Sequence, residues 1–292
     1  MQHVSRRTFL ETTAAVTALA LSSETARAAS GDKMAFGLVT YLWGQDWDLS
    51  TLIANCEKSG ALGVELRTTH AHGVEPSLDA KQRAAVLARF ADSDVTLVGI
   101  GSNERYDDPD PAVVQKAIEA TKEFIRLSHD VGSTGVKVKP DRFHPDVPHE
   151  KTIEQIGKSL NELGKYADGF GQQIRLEIHG GCAELPTIKA IMDIADQPNV
   201  AVCWNSNPQD LQGEGLEHNL GLVRDRFGAT CHVRELDSPD YPFQQLIDLL
   251  VKIDYDGWIL LEASSKPEDR VAALTAQVAL FQAMVQKAAG NA

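Results

Sequence analysis

From Met34 to Ala289 the sequence alternates short apolar runs with amphipathic stretches eight times over, and few folds accept that pattern. The short runs are 36–41, 63–67, 95–100, 135–139, 173–179, 200–205, 229–234 and 258–262. Their length and their Gly, Pro and Asn boundaries suit strands better than helices. The intervening stretches carry helical stripes. Leu49, Leu52, Ile53 and Cys56 form one such stripe, with Asp48 placed to cap it and Gly60 to stop it. Pro111 suits the first turn of a helix that reaches Asp130. Further helices are expected at about 79–93, 151–169, 185–195, 217–227, 242–253 and 267–289. Strands that alternate with helices pair in parallel through crossovers. Eight such units are the number that closes a barrel. No Gly-x-Gly-x-x-Gly follows the first strand, which weighs against an open doubly wound sheet. The expected fold class is α/β, one (β/α)8 TIM barrel over residues 31–292, about 260 residues and typical of that architecture.

Residues 1–30 read as a removable leader. Ser5-Arg6-Arg7-Thr8-Phe9-Leu10 holds a paired arginine, a mildly apolar stretch runs from Thr13 to Leu21, and Ala26-Arg27-Ala28 offers small residues at a cleavage spacing. This is the pattern of a twin-arginine signal, which implies the twin-arginine export machinery as a partner and a periplasmic or secreted destination. The apolar stretch is too short for a permanent bilayer span, so no stable membrane span is expected. A formal charge of −13 argues against nucleic acid and anionic lipid as partners. Cys56, Cys182, Cys203 and Cys231 show no Cys-x-x-Cys and no zinc-ribbon spacing, and they read as buried thiols.

In a barrel strand alternate side chains face the helices or the interior. With Leu176 and Ile178 packed outward, Arg175, Glu177 and His179 face in. The same parity turns Lys137, Lys139, His232, Arg234 and Glu262 inward. Burying so many ionisable groups is costly unless they pair or bind a metal, and the carboxyl ends of barrel strands are where function tolerates that cost. Glu177, Asn205, His232 and Glu262 each end one strand, spaced 28, 27 and 30 residues apart by their numbering. Two carboxylates, an imidazole and an amide oxygen form a shell that suits Mn²⁺, Mg²⁺, Co²⁺ or Zn²⁺ with positions left open.

Leu176-Glu177-Ile178-His179-Gly180, Val202-Cys203-Trp204-Asn205, His232-Val233-Arg234-Glu235 and Leu261-Glu262 resemble strand ends of the xylose isomerase-like barrel superfamily. Gly63-Val64-Glu65-Leu66-Arg67 is similar to its second strand. That group includes ketose 3-epimerases, inosose dehydratases and sugar phosphate isomerase/epimerase-type proteins. The resemblance implies a divalent metal held by Glu, Asp, His and Glu on strands five to eight, and Glu177, His232 and Glu262 carry over directly. Asn205 stands where the family usually has Asp, and Asn207 where many members have His. The implied chemistry is proton transfer beside a carbonyl through an enediolate, with Glu177 and Glu262 as acid and base on opposite faces of a small carbohydrate. A dehydratase or lyase acting on an oxidised sugar or keto-glycoside would use the same residues. A carbohydrate-binding barrel without catalysis is a third reading, and the superfamily's abasic-site endonucleases are disfavoured by export and acidity. A homo-oligomer formed through helical faces stays open.

Around this shell, His179 resembles a substrate-binding histidine of the family. Lys139, nearest the mouth, is assigned to substrate contact and Lys137 to a structural ion pair with Glu65 or Glu177. Arg234 is assigned to the mouth, where it could bind a carboxylate or phosphate or neutralise Glu235 or Glu262; phosphate is disfavoured because no glycine-rich helix N-terminus follows strand seven or eight. His70 and His72 lie just past the second strand and are candidate substrate contacts, against a solvated loop. Trp43 and Trp47 read equally as a sugar platform or a packed lid. The acidic run Glu104, Asp107, Asp108 and Asp110 reads as solvated.

Overall fold

The structure is a computed structural model and describes residues 33–290; the expected leader at 1–30 lies outside the described residues. Eight parallel strands close into a barrel in chain order, and β1 returns to β8 through Phe36↔Ile259 and Leu38↔Leu261. The strands are β1 (Ala35–Val39), β2 (Gly63–Arg67), β3 (Thr96–Arg105), β4 (Gly135–Lys139), β5 (Gln173–Glu177), β6 (Val200–Asn205), β7 (Phe227–Val233) and β8 (Trp258–Leu261). The crossover helices are α1 (Leu49–Ser59), α2 (Ala80–Ala91), α3 (Pro111–Asp130), α4 (His149–Asp168), α5 (Leu185–Ile194), α6 (Leu216–Gly221), α7 (Phe243–Lys252) and α8 (Arg270–Gly290). The expected TIM barrel is borne out.

Local chemistry sets several of these boundaries. Asp48 accepts a hydrogen bond from the Thr51 N–H to start α1, and Gly60, at φ 80°, ends it in the left-handed region. Asp79 and Gln82 cap α2 reciprocally, and Asp110 with Pro111 opens α3. Outward side chains such as Val136, Val138, Leu176, Trp204, Cys231 and Ile259 enter one apolar layer between sheet and helices. All four cysteines are free and buried. No helix among the described residues is long and apolar enough to cross a membrane.

Two elements depart from expectation. β3 does not stop at Ile100 but continues to Arg105, with a register shift against β4 between Gly101 and Arg105. Its second half, Gly101-Ser102-Asn103-Glu104-Arg105, is polar because it lines the mouth, so apolar alternation could not reveal it. The helix expected at 217–227 is only α6, followed by a 3-10 turn at Arg224–Arg226. Phe227 instead opens β7, where its ring packs edge-on against Trp204 and Tyr255, each with centroids 5.8 Å away. Tertiary packing overrides local helix preference there.

At the lower end of the barrel Arg175 is buried as a structural plug. Its guanidinium donates to Gln173 Oε1 (2.7 Å), the Val98 carbonyl (3.0 Å) and Thr134 Oγ1 (2.6 Å).

Candidate active site

The strand ends β5 to β8 bring three donors together. Oxygen atoms of Glu177 and Glu262 and a ring nitrogen of His232 all lie within 4.8 Å of one another, and all three residues are buried. Asn205 joins them by donating from Nδ2 to Glu177 Oε1 at 3.0 Å. Its Oδ1 is buried with no hydrogen-bond partner, and neither ring nitrogen of His232 has one in bonding geometry. Buried polar atoms are rarely left unsatisfied. Convergent carboxylate, imidazole and amide oxygen donors with unspent lone pairs fit a divalent cation.

The charges of this shell are set from the other half of the barrel. Lys137 Nζ lies 2.7 Å from Glu177 Oε2, with both side chains fully buried. Burial works against the Glu177 charge, but Lys137, His232 and Lys139 outweigh it and hold the carboxyl well below its usual range. Lys137 stays protonated for the reciprocal reason: Glu177 and Glu65 overcome its desolvation. Arg67 Nη1 donates to Glu262 Oε1 at 3.3 Å, and its guanidinium is steadied by Asn103 Oδ1 at 2.9 Å and by the Tyr41 ring at 5.1 Å.

Glu65 is a participant that strand parity alone did not single out. It is fully buried, with Oε1 3.3 Å from His232 Nε2, while His232 Nδ1 faces Glu177 Oε1 at 3.7 Å. His232 therefore stands between two carboxylates, and with Cys203 they outweigh burial and raise its pKa well above the ordinary value. Room for Glu65 comes from β3: a Cβ on Gly101 would sit 2.8 Å from Glu65 Oε1, and one on Gly99 3.1 Å from Oε2. The visible signal was the small-residue pattern Val98-Gly99-Ile100-Gly101 opposite an inward Glu.

Around the mouth the candidates separate. Lys139 is 5% exposed at the end of β4, and burial together with Lys137 pushes its pKa down to about 8. His179 is oriented by Asp141, Nδ1 to Oδ1 at 3.1 Å. His70 Nδ1 reaches Thr40 Oγ1 at 3.2 Å, and burial, His72 and Arg67 push its pKa down to about 4. His72 does not reach substrate space. Its Nε2 meets the Arg67 carbonyl at 2.8 Å and its Nδ1 accepts from the Val74 N–H at 3.0 Å, so both nitrogens serve the loop backbone. Arg234 gives Nη1 to the Glu262 carbonyl at 3.1 Å, which braces the strand end. Asn207 likewise serves the backbone, donating to the Ile178 and Asn205 carbonyls.

Trp43 and Trp47 are packed, not exposed. Trp43 Nε1 donates to the Ser265 carbonyl, and Arg270 lies 5.0 Å over the Trp47 ring. The acidic run is not uniformly solvated either. Asp107 is buried and meets His144 Nε2 at 3.2 Å, which pins the β3 and β4 loops together. An open groove of about 500 Å³ between α3 and α4 lies outside the barrel and holds none of this chemistry.

A family described as xylose isomerase-like TIM barrel matches residues 53–283. The chain belongs to that family. No curated protein matches its sequence. Among solved structures, an L-ribulose 3-epimerase superposes with a TM-score of 0.76 at 16% identity, over 88% of this chain and 96% of its own. A 3-keto-D-glucoside 4-epimerase from E. coli in its apo form gives 0.73 at 14% identity, over 86% and 99%. The IolI protein with a bound zinc atom gives 0.71 at 16%, over 88% and 99%. At these identities the likeness establishes the shared fold, and the chemistry rests on the residues of this family member itself.

Proposed function

We propose that this chain is an exported, divalent-metal-dependent isomerase or epimerase of a keto-sugar. The observation that carries the reading is the convergence of Glu177, His232 and Glu262 at the strand ends, with each carboxylate matched to its own cation. Structural likeness to sugar epimerases supports the same reaction class. Glu177, Asn205, His232 and Glu262 would hold the ion, which when bound supplies polarisation of the substrate carbonyl.

The protein's own groups do the rest. Glu177, kept ionised by Lys137, takes the proton from the carbon beside the carbonyl. Glu262, tethered by Arg67, enters as the carboxylic acid and gives its own proton to the opposite face, which inverts that carbon and leaves Glu177 protonated and Glu262 ionised. His179, fixed by Asp141, and His70, neutral at physiological pH, offer ring nitrogens to substrate hydroxyls. Strand-end burial excludes bulk water from the exchange.

The test combines metal content and turnover of the mature protein purified without chelator. Near-stoichiometric metal and conversion of a ketose or keto-glycoside to its epimer or isomer are expected, with both lost in Glu262→Ala. A protein that takes up no metal on reloading and converts no ketose would sink the reading. Export is part of the proposal, and Arg6→Lys with Arg7→Lys should leave the protein in the cytoplasmic fraction. Undiminished export of that variant would remove the twin-arginine assignment.

A further inference from the structure

Beside the buried carboxylates Glu65, Glu177 and Glu262, the strands turn Arg67, Lys137, Lys139, Arg175 and Arg234 toward the barrel interior, in a chain whose formal net charge is −13. Four of the cations are engaged. Lys137 holds Glu177, Arg67 holds Glu262, Arg175 is spent on three oxygens below the site, and Arg234 binds the Glu262 carbonyl. Lys139 is the exception. It is 5% exposed, yet among the described residues no hydrogen bond or ion pair engages its ammonium group. It ends β4 two residues beyond Lys137, on the same inward face, and so stands nearer the mouth than the Lys137–Glu177 pair. Its stem is buried while its ammonium still meets solvent at the mouth, so the charge is open to an anionic group that enters there.

We propose that Lys139 receives a carboxylate on the substrate, so that the keto-sugar of this site is an acid, a keto-uronate or keto-aldonate. The proposal rests on the isomerase reading only in requiring that a hydroxy-ketone occupy the same mouth. A carboxylate needs one well-placed cation in a dry site. A phosphate dianion ordinarily draws on several donors, including helix N-terminal amides, whereas Arg105, in register beside Lys139, is turned to Asp141 at 3.3 Å. With its pKa near 8, Lys139 carries its charge at neutral pH and loses it as pH rises beyond that value, so affinity for an acid should fall on the alkaline side.

Achiral probes avoid guessing the sugar. Dihydroxyacetone and hydroxypyruvate share a hydroxy-ketone and differ in one terminus, CH₂OH or COO⁻; dihydroxyacetone phosphate places a phosphate there. Calorimetric titration of the metal-loaded protein should show hydroxypyruvate binding about tenfold tighter than dihydroxyacetone, as for one charge-assisted contact. Lys139→Met should erase that preference and leave dihydroxyacetone binding within about twofold. Its melting temperature should change little, since no hydrogen bond or ion pair is broken. A merely structural lysine would lower it. Equal binding of the two probes, no hydroxypyruvate binding, a preference that survives in Lys139→Met, or tighter binding of the phosphate with the same dependence on Lys139 would each overturn the proposal. None of these readouts requires turnover, so they stand apart from a failure of the isomerase reading, which shows as absent conversion.

Discussion

The two halves of the barrel mouth contribute opposite things. Strands β5 to β8 supply the donors Glu177, Asn205, His232 and Glu262, while β2 and β4 supply Glu65, Arg67, Lys137 and Lys139. The first half looks like a ligand set, but its protonation states are written by the second. Lys137 holds Glu177 ionised, Arg67 tethers Glu262, and Glu65 faces the ring nitrogen of His232 that points away from Glu177. A replacement on the donor side should therefore remove chemistry. One on the supporting side should alter stability, metal affinity or selectivity while the donors remain in place.

The largest effects fall on the donor side. Glu262→Gln keeps shape and removes the acid–base function, so kcat should drop about 10²–10⁴-fold with the melting temperature little changed. Activity within a few-fold of the parent would take Glu262 out of proton transfer. On the supporting side, Lys137→Met leaves Glu177 buried without its ion-pair partner, and breaking such a pair costs about 3–5 kcal/mol. Urea unfolding would measure it. A loss under 1 kcal/mol would mean that water or His232 already compensates Glu177.

Glu65 sharpens the contrast further, because it touches no substrate and still governs a donor. Glu65→Leu should weaken metal affinity about 10–100-fold, the usual consequence of losing the group that orients a ligating histidine. Glu65→Gln, which keeps an oxygen facing Nε2 in the same place, should recover most of that affinity. Competition with a chelating dye reads both variants without any turnover. Identical affinities for the parent and Glu65→Leu would reduce Glu65 to a packing role.

These couplings also explain what could be read from the chain and what could not. β2 and β4 emerge with their observed ends because Gly63, Gly135 and Pro140 punctuate short alternating runs, and alternation also turned Glu177, His232 and Lys139 inward. The polar end of β3 carried no apolar signal. Pairings across the barrel carried none either. Arg67 meets Glu262 from 195 residues away, and nothing local to either residue announces it. His72 looked equivalent to His70, yet a backbone turn at Gly73, φ 68°, folds Val74 back onto its ring and consumes it. Asp141 was invisible for a related reason. It sits at φ 65°, a strained setting for a residue with a side chain, and from there its carboxylate reaches His179.

The smallest predicted effect compares a rim histidine with the buried one. His232 is raised by Cys203 and by carboxylates on both sides, whereas His70 is lowered to about 4 by burial, His72 and Arg67. For His70 the unfolded chain takes up its proton near pH 6.5 and the folded chain only near 4. Between those values the unfolded state binds more protons, so stability falls as pH falls. His70 is only partly buried, and solvent screening reduces its share to about 1 kcal/mol or less at pH 4.5. Urea unfolding at pH 7 and pH 4.5 should therefore show a smaller acid loss in His70→Gln than in the parent, by that amount. His179, also lowered chiefly by burial, contributes with the same sign, so the double variant with His179→Gln should flatten the acid limb more. An acid loss that is unchanged in both variants would place the titration elsewhere, and the rim histidines would then differ from His232 in position alone.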